Sequence, residues 1–320
     1  MSRRDQTSRT GPELDGVLVV AKPAGPTSHD IVALVRRLTG VRRVGHGGTL
    51  DPFAAGVLPI FVGRATRVAE YHLGDRKEYR ADVLLGARST TDDRDGELTP
   101  SGAPLPERAA VEEALAAFRG EIDQVPPDYS AVRISGRHAY ELARHGQKPD
   151  LHARHVTVER LDLTAWDGAT DPERPMLTLE VRCSAGTYVR AIARDLGEAL
   201  GCGAYLGALT RTASGPFRLA DAHSLDAVRE ALANGRAQSL LLPTDVGLDV
   251  YPRIELPSDE LGALARGQII RHHAGEGLSP GPDGLLRVVD GRGQLAAIAR
   301  LDDGRLYPQK VFVTVAPSGS

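Results

Sequence analysis

The spacing of hydrophobic positions changes several times along the chain, and each change predicts an element. Residues 16–21, GVLVVA, form an unbroken apolar run of strand length and predict a buried strand. KPAGPTSHD follows as a Pro/Gly turn, with Ser28 placed to cap a helix. Ile31, Val32, Leu34, Val35 and Leu38 then share one helical face, and Gly40 supplies the stop. In EYRADVLL, residues 78–85, Tyr79, Ala81, Val83 and Leu85 alternate as in a half-buried strand. Residues 88–103 are polar and turn-rich. A short helix is predicted over 107–119, with Val111, Leu115 and Phe118 inward and Gly120 at its end. MLTLEVRC, 176–183, alternates again. The next stretch aligns Val189, Ile192, Ala193, Leu196 and Leu200 on a helix. Residues 221–248 read as a helical tail. From Tyr251 the texture shifts to short strands, with Asp290-Gly291 and Asp303-Gly304 as hairpin turns.

Two segments depart from these periods. VGHGGTLDPFAAGVLPIFVG, 44–63, reads first as a loop, with five glycines and two prolines. Its second half is nevertheless apolar, and its single carboxylate, Asp51, is pinned between Leu50 and Pro52. Residues 124–155 lack long apolar runs. They hold four of the ten histidines, with Arg133, Arg137, Arg144, Lys148 and Arg154 against the acids Asp128, Glu141 and Asp150. This reads as an exposed excursion with a positive face.

Helices and strands mix without a βαβ rhythm. The expected class is therefore α+β, a mixed and largely antiparallel sheet with flanking helices, followed by a small β-rich second domain. A chain of 320 residues suits two domains. The expected division is a tail over 1–13, a first domain over 14–248 and a second over 251–317.

Composition narrows the classes. At 41% hydrophobic and 25% charged the chain has globular composition. It has no apolar run long enough for a membrane span, and its arginine-bearing N-terminus lacks a signal-peptide core. Cys183 and Cys202 are too few for a disulfide framework, so a reducing cytoplasm is expected. The net charge of −3 excludes a uniformly basic nucleic-acid binder and leaves only local positive surface. Four lysines, Lys22, Lys77, Lys148 and Lys310, stand among many arginines.

Common catalytic motifs are missing. There is no phosphate-binding G-x-x-x-x-G-K-[ST] and no helix-opening G-x-G-x-x-G. Gly277-Leu278-Ser279-Pro280-Gly281 matches a nucleophile elbow in letters only, because Pro280 and GPDG replace the required helix. His152 with His155, and His272 with His273, lack a third ligand at metal spacing. No cofactor and no metal are expected.

Six blocks occur in order: KPAGPTSHD, GHGGTLDPFAAGVLPI, KEYRADVLLG, PPDYSAVRISGRHAYELARHG, CSAGTYVRAIARDLGEALGCGAYLGALTRTASGPF and a small β domain. Together they resemble the bacterial tRNA pseudouridine synthase B family, closely over about residues 14–248 and loosely beyond. The resemblance implies a pseudouridine synthase fold with a PUA-like RNA-binding C-terminal domain. It implies isomerisation of uridine 55 in the tRNA T-arm on a flipped-out base. The N1–C1′ bond breaks, the uracil turns and rejoins through C5, and nothing is oxidised. That chemistry needs a carboxylate as nucleophile or electrostatic partner, a flat surface for the base and exclusion of water.

The resemblance assigns catalytic roles to Asp51, Tyr79 and Arg190. Asp51 stands in the L-D-P of the glycine-rich block. Tyr79 is expected to stack on the uracil, and its hydroxyl to take the C5 proton if its pKa falls below about 10. Arg190 is expected to keep Asp51 charged and aimed. Tyr188, His46 and Lys22 are the expected substrate-binding residues, with a structural or RNA-backbone contact for Lys22 as open as a catalytic one. Gly47 stands where other members often carry alanine or a small polar residue. The excursion is expected to grip RNA phosphates, with Arg36, Arg37, Arg42 and Arg43 extending that surface. A monomer is expected. Three rivals remain: a non-catalytic tRNA-binding or folding protein, a synthase with another uridine target, and a hydrolase with paired carboxylates. The hydrolase needs a second acid against Asp51, whereas Asp92, Asp93 and Asp95 lie in a separate polar segment.

Overall fold

The computed structural model describes residues 14–167, 175–271 and 279–313. The expected tail over 1–13, the His272–His273 pair and residues 314–317 of the second domain lie outside them. In chain order, β1 (Gly16–Lys22), α1 (Ser28–Thr39), β2 (Val44–His46) and β3 (Ala55–Val62) come first. β4 (Lys77–Leu85), β5 (Ala87–Ser89), β6 (Leu98–Pro100), α2 (Arg108–Ala114) and β7 (Gly120–Gln124) lead to the excursion. The excursion holds a small ladder, β8 (Arg133–Ile134) with β9 (Arg137–His138), and a short helix, α3 (Ala139–Arg144). β10 (Arg154–Asp167), β11 (Met176–Cys183), α4 (Val189–Ala199) and β12 (Ala204–Ser214) follow. Then come β13 (Phe217–Arg218), β14 (His223–Ser224), α5 (Leu225–Ala233) and β15 (Leu241–Leu242). A second sheet uses β16 (Arg253–Glu255), α6 (Ser258–Ala265), β17 (Ile270–Arg271), β18 (Leu285–Val289), β19 (Leu295–Asp302) and β20 (Arg305–Val311).

The main sheet runs β14-β1-β3-β12-β4-β11-β10-β7, and the second runs β16-β18-β19-β20-β17. Neighbours are antiparallel except β1 with β14, β3 with β12, and β16 with β18. This is the mixed, largely antiparallel α+β architecture expected from the sequence. The unbroken apolar run of β1 has a reason. Leu18 and Val20 enter the main core, while Val17 and Val19 enter a second core on the opposite face. That second core also takes Leu295, Ile298 and Phe312 from the C-terminal sheet. Arg64 and Arg67 donate to the carbonyls of Phe312 and Val311 across the same seam. Lys310 pairs with Glu70 at 2.8 Å.

Local details differ from expectation where side chains are taken up elsewhere. Thr27, not Ser28, caps α1. Its hydroxyl accepts from Asp30 N at 3.1 Å, and Asp30 accepts from Thr27 N at 2.8 Å, a reciprocal box. Ser28 is instead the first helical residue, with its hydroxyl used on Leu50. The 107–119 helix is α-helical only over Arg108–Ala114 and tightens to 3₁₀ over Leu115–Phe118. The helical tail over 221–248 is mostly not helix. Only α5 and a 3₁₀ turn at Ala237–Leu240 form, because Gly235, with φ of 69°, turns the chain out of the helix. The glycine-rich stretch from 44 to 63 contains β2 and β3 around a short loop. Asp303-Gly304 does make the tight turn between β19 and β20, with both residues at positive φ.

The register of the central strands prepares the site. Lys22 lies opposite Gly56, Gly56 opposite Arg211, Arg211 opposite Tyr79, and Tyr79 opposite Val181. One rung therefore carries three polar side chains across β1, β12 and β4. Gly56 makes the rung possible. Its φ is 111°, and a Cβ there would stand 2.2 Å from the Arg211 carbonyl oxygen. Gly56→Ala is expected to lose about 3 kcal/mol of stability, from left-handed strain and overpacking together. Urea unfolding measures this, and an unchanged midpoint would refute the close approach.

Candidate active site

The loop between β2 and β3 is held from four sides. Ser28 Oγ accepts from Leu50 N at 2.9 Å and donates to Leu50 O at 3.2 Å. Gly25 N donates to Pro52 O at 2.8 Å. Lys22 Nζ donates to the carbonyls of Pro23, Pro26 and Pro52 at 3.0, 2.8 and 3.4 Å. Arg211 donates to the carbonyls of Val57, Thr49 and Gly48 at 2.8, 3.2 and 3.2 Å. Pro52 itself restricts the backbone of Asp51. The glycine-rich loop is thus immobilised by side chains, and its one carboxylate projects from a fixed base.

Asp51 faces a cavity of about 270 Å³ that is also lined by Tyr79, Tyr188, Arg190, Leu209 and Arg211. Its side chain is 35% exposed, whereas that of Arg190 is only 4% exposed. Arg190 Nε lies 2.9 Å from Asp51 Oδ2. The N–H does not point along a hydrogen-bond direction, so the contact is chiefly coulombic. The other nitrogens fix the guanidinium. Nη1 donates to Thr91 O and Nη2 to Tyr129 O, each at 3.0 Å, and Nη1 is 3.6 Å from Asp93 Oδ2. A cation so bound cannot follow the carboxylate if the carboxylate moves. It offers constant positive potential beside Asp51.

Tyr79 is half-buried with its ring in the cavity wall. Burial pushes its phenol pKa up, and the nearby Arg211 guanidinium, which hydrogen-bonds it, only partly opposes this. The condition set for proton acceptance, a lowered pKa, is therefore not met in the resting site: removing solvent penalises the phenolate more than one cation rewards it. The hydroxyl is neutral in the resting site. Tyr188 precedes α4, and its backbone is clamped by Gln124, whose amide donates to Tyr188 O at 3.0 Å and accepts from Tyr188 N at 2.8 Å. Burial also raises the Tyr188 phenol.

His46 stands beside this cavity rather than in its wall. It meets the His29 ring edge-on at 5.4 Å, and its buried Nδ1 has no partner. Burial first, then His29 and Arg211, lower its pKa, so the ring is neutral near pH 7. Of the roles open to Lys22, the structure supports the structural one and not contact with a substrate. It is 1% exposed, and its ammonium is engaged by three carbonyls beneath the loop. It supports Asp51 from below and offers no surface to a substrate.

Burial also depresses Lys22 to a pKa of about 8, with Arg211 adding to the effect and Asp51 and Asp30 opposing it. The unfolded chain then binds more protons than the folded one from about pH 8 to about 10.5, so this group makes stability rise with pH there. The cost of burying the ammonium is complete below that window. The unfolding free energy of wild type relative to Lys22→Met is expected to improve by about 2 kcal/mol between roughly pH 7.5 and 9.5. Urea titrations at several pH values measure this, and parallel curves would refute it.

Two side chains at the site had no place in it on the sequence reading. Arg211, 1% exposed and, among the described residues, without a carboxylate in hydrogen-bond contact, holds the loop and faces Tyr79. Its signal was an arginine at an inward position of LGALTRTAS. Asp93 reaches Arg190 from a turn that reads as polar surface. Thr91 Oγ1 donates to its Oδ1 at 2.6 Å, and burial raises its pKa. It is the acid that the hydrolase reading lacked, but Arg190 stands between it and Asp51. Among the described residues no three His, Cys, Asp or Glu side chains are placed to hold a metal ion. No described helix is long and apolar enough to cross a membrane.

Comparison with known proteins identifies the family. The model of the TruB family pseudouridylate synthase N-terminal domain matches residues 36–189. That of the tRNA pseudouridylate synthase B C-terminal domain matches 190–249, and that of the pseudouridine synthase II TruB C-terminal region matches 252–312. The tRNA pseudouridine synthase B of Thiobacillus denitrificans is 41% identical over 302 residues, covering 94% of this chain and 97% of the relative. That of Heliobacterium modesticaldum is 43% identical over 304 residues, covering 94% and 96%. Among solved structures, a Cbf5-Nop10-Gar1 complex has a chain superposing with a TM-score of 0.67 at 25% identity, over 97% of this chain and 92% of that one. A chain of an H/ACA RNP bound to a substrate RNA containing 2′-deoxyuridine gives the same TM-score at 23% identity, over 97% and 93%, and shares the fold. An aspartate on a clamped loop, a fixed arginine and a tyrosine in one cavity, with similarity from end to end, lead to one assignment: the chain belongs to the TruB family of pseudouridylate synthases and is an isomerase.

Proposed function

We propose that this enzyme converts uridine 55 in the T-loop of tRNA to pseudouridine, with Asp51 as the nucleophile. The observation that carries the reading is the Asp51–Arg190 contact at 2.9 Å, on the wall of a cavity that also holds Tyr79. Asp51 opens the reaction at the flipped uridine, and Arg190 stabilises its charge before and after the covalent step. Tyr79 supplies a ring on which the detached uracil turns without leaving. Its neutral hydroxyl, tied to Arg211, fixes that ring. Tyr188 closes another wall, and His46 meets the nucleotide at the cavity's edge.

A uridine inside the T-loop must be extruded, which costs a few kcal/mol. The excursion offers the compensating contacts, because Arg133, Arg137, Arg144, Lys148 and Arg154 are all exposed. The small C-terminal sheet provides a second RNA surface.

The test uses an unmodified tRNA transcript and a second transcript with cytidine at position 55. Carbodiimide labelling and primer extension should give a stop at position 55 of the first only. Product at another uridine would overturn the target. Tight binding without product would favour a tRNA-folding protein instead.

A further inference from the structure

α4 carries a second arginine one turn after Arg190, on the same face. Arg194 Nη1 lies 3.0 Å from Asp92 Oδ2, its Nη2 donates to Val125 O at 2.8 Å, and its Nε reaches Asp195 Oδ1 at 2.8 Å. Arg190 makes a matching pair of contacts, to Thr91 O and Tyr129 O. The two guanidiniums therefore bridge the same two segments. One is the turn carrying Asp92 and Asp93. The other is the root of the excursion, where the buried Pro126 and Pro127 sit between the two bonded carbonyls.

The first segment is held in an unusual shape. Asp92 has φ of 61°, and the turn is stitched to β12 through Arg94 N to Leu206 O and Leu206 N to Asp92 O, each at 3.0 Å. A non-glycine residue at positive φ persists where its surroundings over-determine it. The 15% exposed Asp92 side chain, engaged by Arg194, is one such determinant. The second segment leads directly to the exposed cations of the excursion. Proline backbones at its root transmit displacement rather than absorb it.

We infer that Arg194 is a positioning residue for the isomerisation: it locks the root of the excursion against the Asp92–Asp93 turn, so that Arg190 keeps its plane against Asp51. Arg194 touches neither Asp51 nor the cavity wall, and it acts through Arg190. This rests on the reading of Asp51 as nucleophile and of the excursion as an RNA grip. A displacement of about 1 Å at a reacting group costs up to about a hundredfold in rate, so loosening this lock should appear in the chemical step.

The test compares wild type with Arg194→Gln, Arg194→Lys, Asp92→Asn and the Arg194→Gln/Asp92→Asn double variant. Asparagine is chosen at position 92 because it tolerates positive φ. Single-turnover pseudouridine formation on the unmodified transcript is measured with saturating protein, alongside filter-binding affinity and the melting midpoint. Arg194→Gln should slow the single-turnover step about tenfold while affinity changes less than about twofold. Arg194→Lys should recover part of the rate, and the double variant should be no slower than Arg194→Gln, because both changes open one lock. An unchanged rate would overturn the inference. So would a tenfold loss of affinity with normal saturated rate, which would make Arg194 an RNA contact. A lowered melting midpoint with a normal rate well below it would make the role merely structural and also overturn it. Wild type without product would instead overturn the underlying activity reading, and this inference with it.

Discussion

Asp51→Asn is expected to reduce pseudouridine formation by at least roughly a thousandfold, because an amide supplies neither the nucleophile nor its charge. The substitution keeps size and shape. The clamps on the loop act on backbone carbonyls and on Leu50 N, not on the Asp51 side chain, so the loop should hold its form. Arg190 would keep Thr91 O, Tyr129 O and Asp93 as partners. Asp51 is one-third exposed, so stability should change by no more than about 1 kcal/mol. RNA affinity should stay within about threefold, since phosphate contacts dominate it. Single-turnover assays and filter binding measure the two quantities. Retained product would remove Asp51 from the mechanism.

Arg190→Met is expected to do damage of a different kind, larger in stability. It deletes the cation of two carboxylates and the donor of two carbonyls. Asp93, at 7% exposure, would remain buried with its charge uncompensated by Arg190. Removing one partner of a buried ionic cluster costs about 3–5 kcal/mol, and the rate should fall at least about a hundredfold. The pH dependence identifies the cause. Burial already raises the Asp93 pKa, and loss of the cation raises it further. A carboxyl whose folded pKa exceeds its unfolded value binds more protons when folded, so its contribution to stability falls as pH rises between those values. Arg190→Met should therefore be less damaged near pH 5 than near pH 7.5 in urea unfolding. An equal loss at both would place the damage in packing instead.

The sequence made some of this visible and hid the rest, for physical reasons. β4 and β11 were legible because one face of each alternates, and α1 and α4 because their apolar positions repeat with the helical turn. Asp51, Tyr79 and Arg190 were reached through blocks that resemble a known family, not through local chemistry. An Asp-Pro pair alone is an ordinary turn. The role of Lys22 stayed open in the sequence because it stands where a strand meets a Pro/Gly turn, and only strand pairing shows it opposite Gly56. Arg211 and Asp93 were missed because long-range pairing and a folded-back turn bring them to the loop and to Arg190. The excursion's charge was readable. Its attachment through the carbonyls of Val125 and Tyr129 was not, because backbone acceptors carry no letter.

The rung linking Lys22, Gly56, Arg211 and Tyr79 also constrains how such a chain can change over time. Side chains alternate along a strand between bulges, and β12 already shifts register against β4 between Leu206 and Ala208 and between Arg211 and Ala213, so one residue gained or lost inside β3, β4 or β12 would displace the pairing of this rung. The loop would lose its clamp while every catalytic letter was still present. Point substitutions can accumulate over much of the surface without touching this arrangement, but spacing cannot drift within those three strands. Inherited length variation should therefore collect in connections such as the polar stretch between β6 and α2. The genetic footprint of this active site is an interval as much as a set of residues.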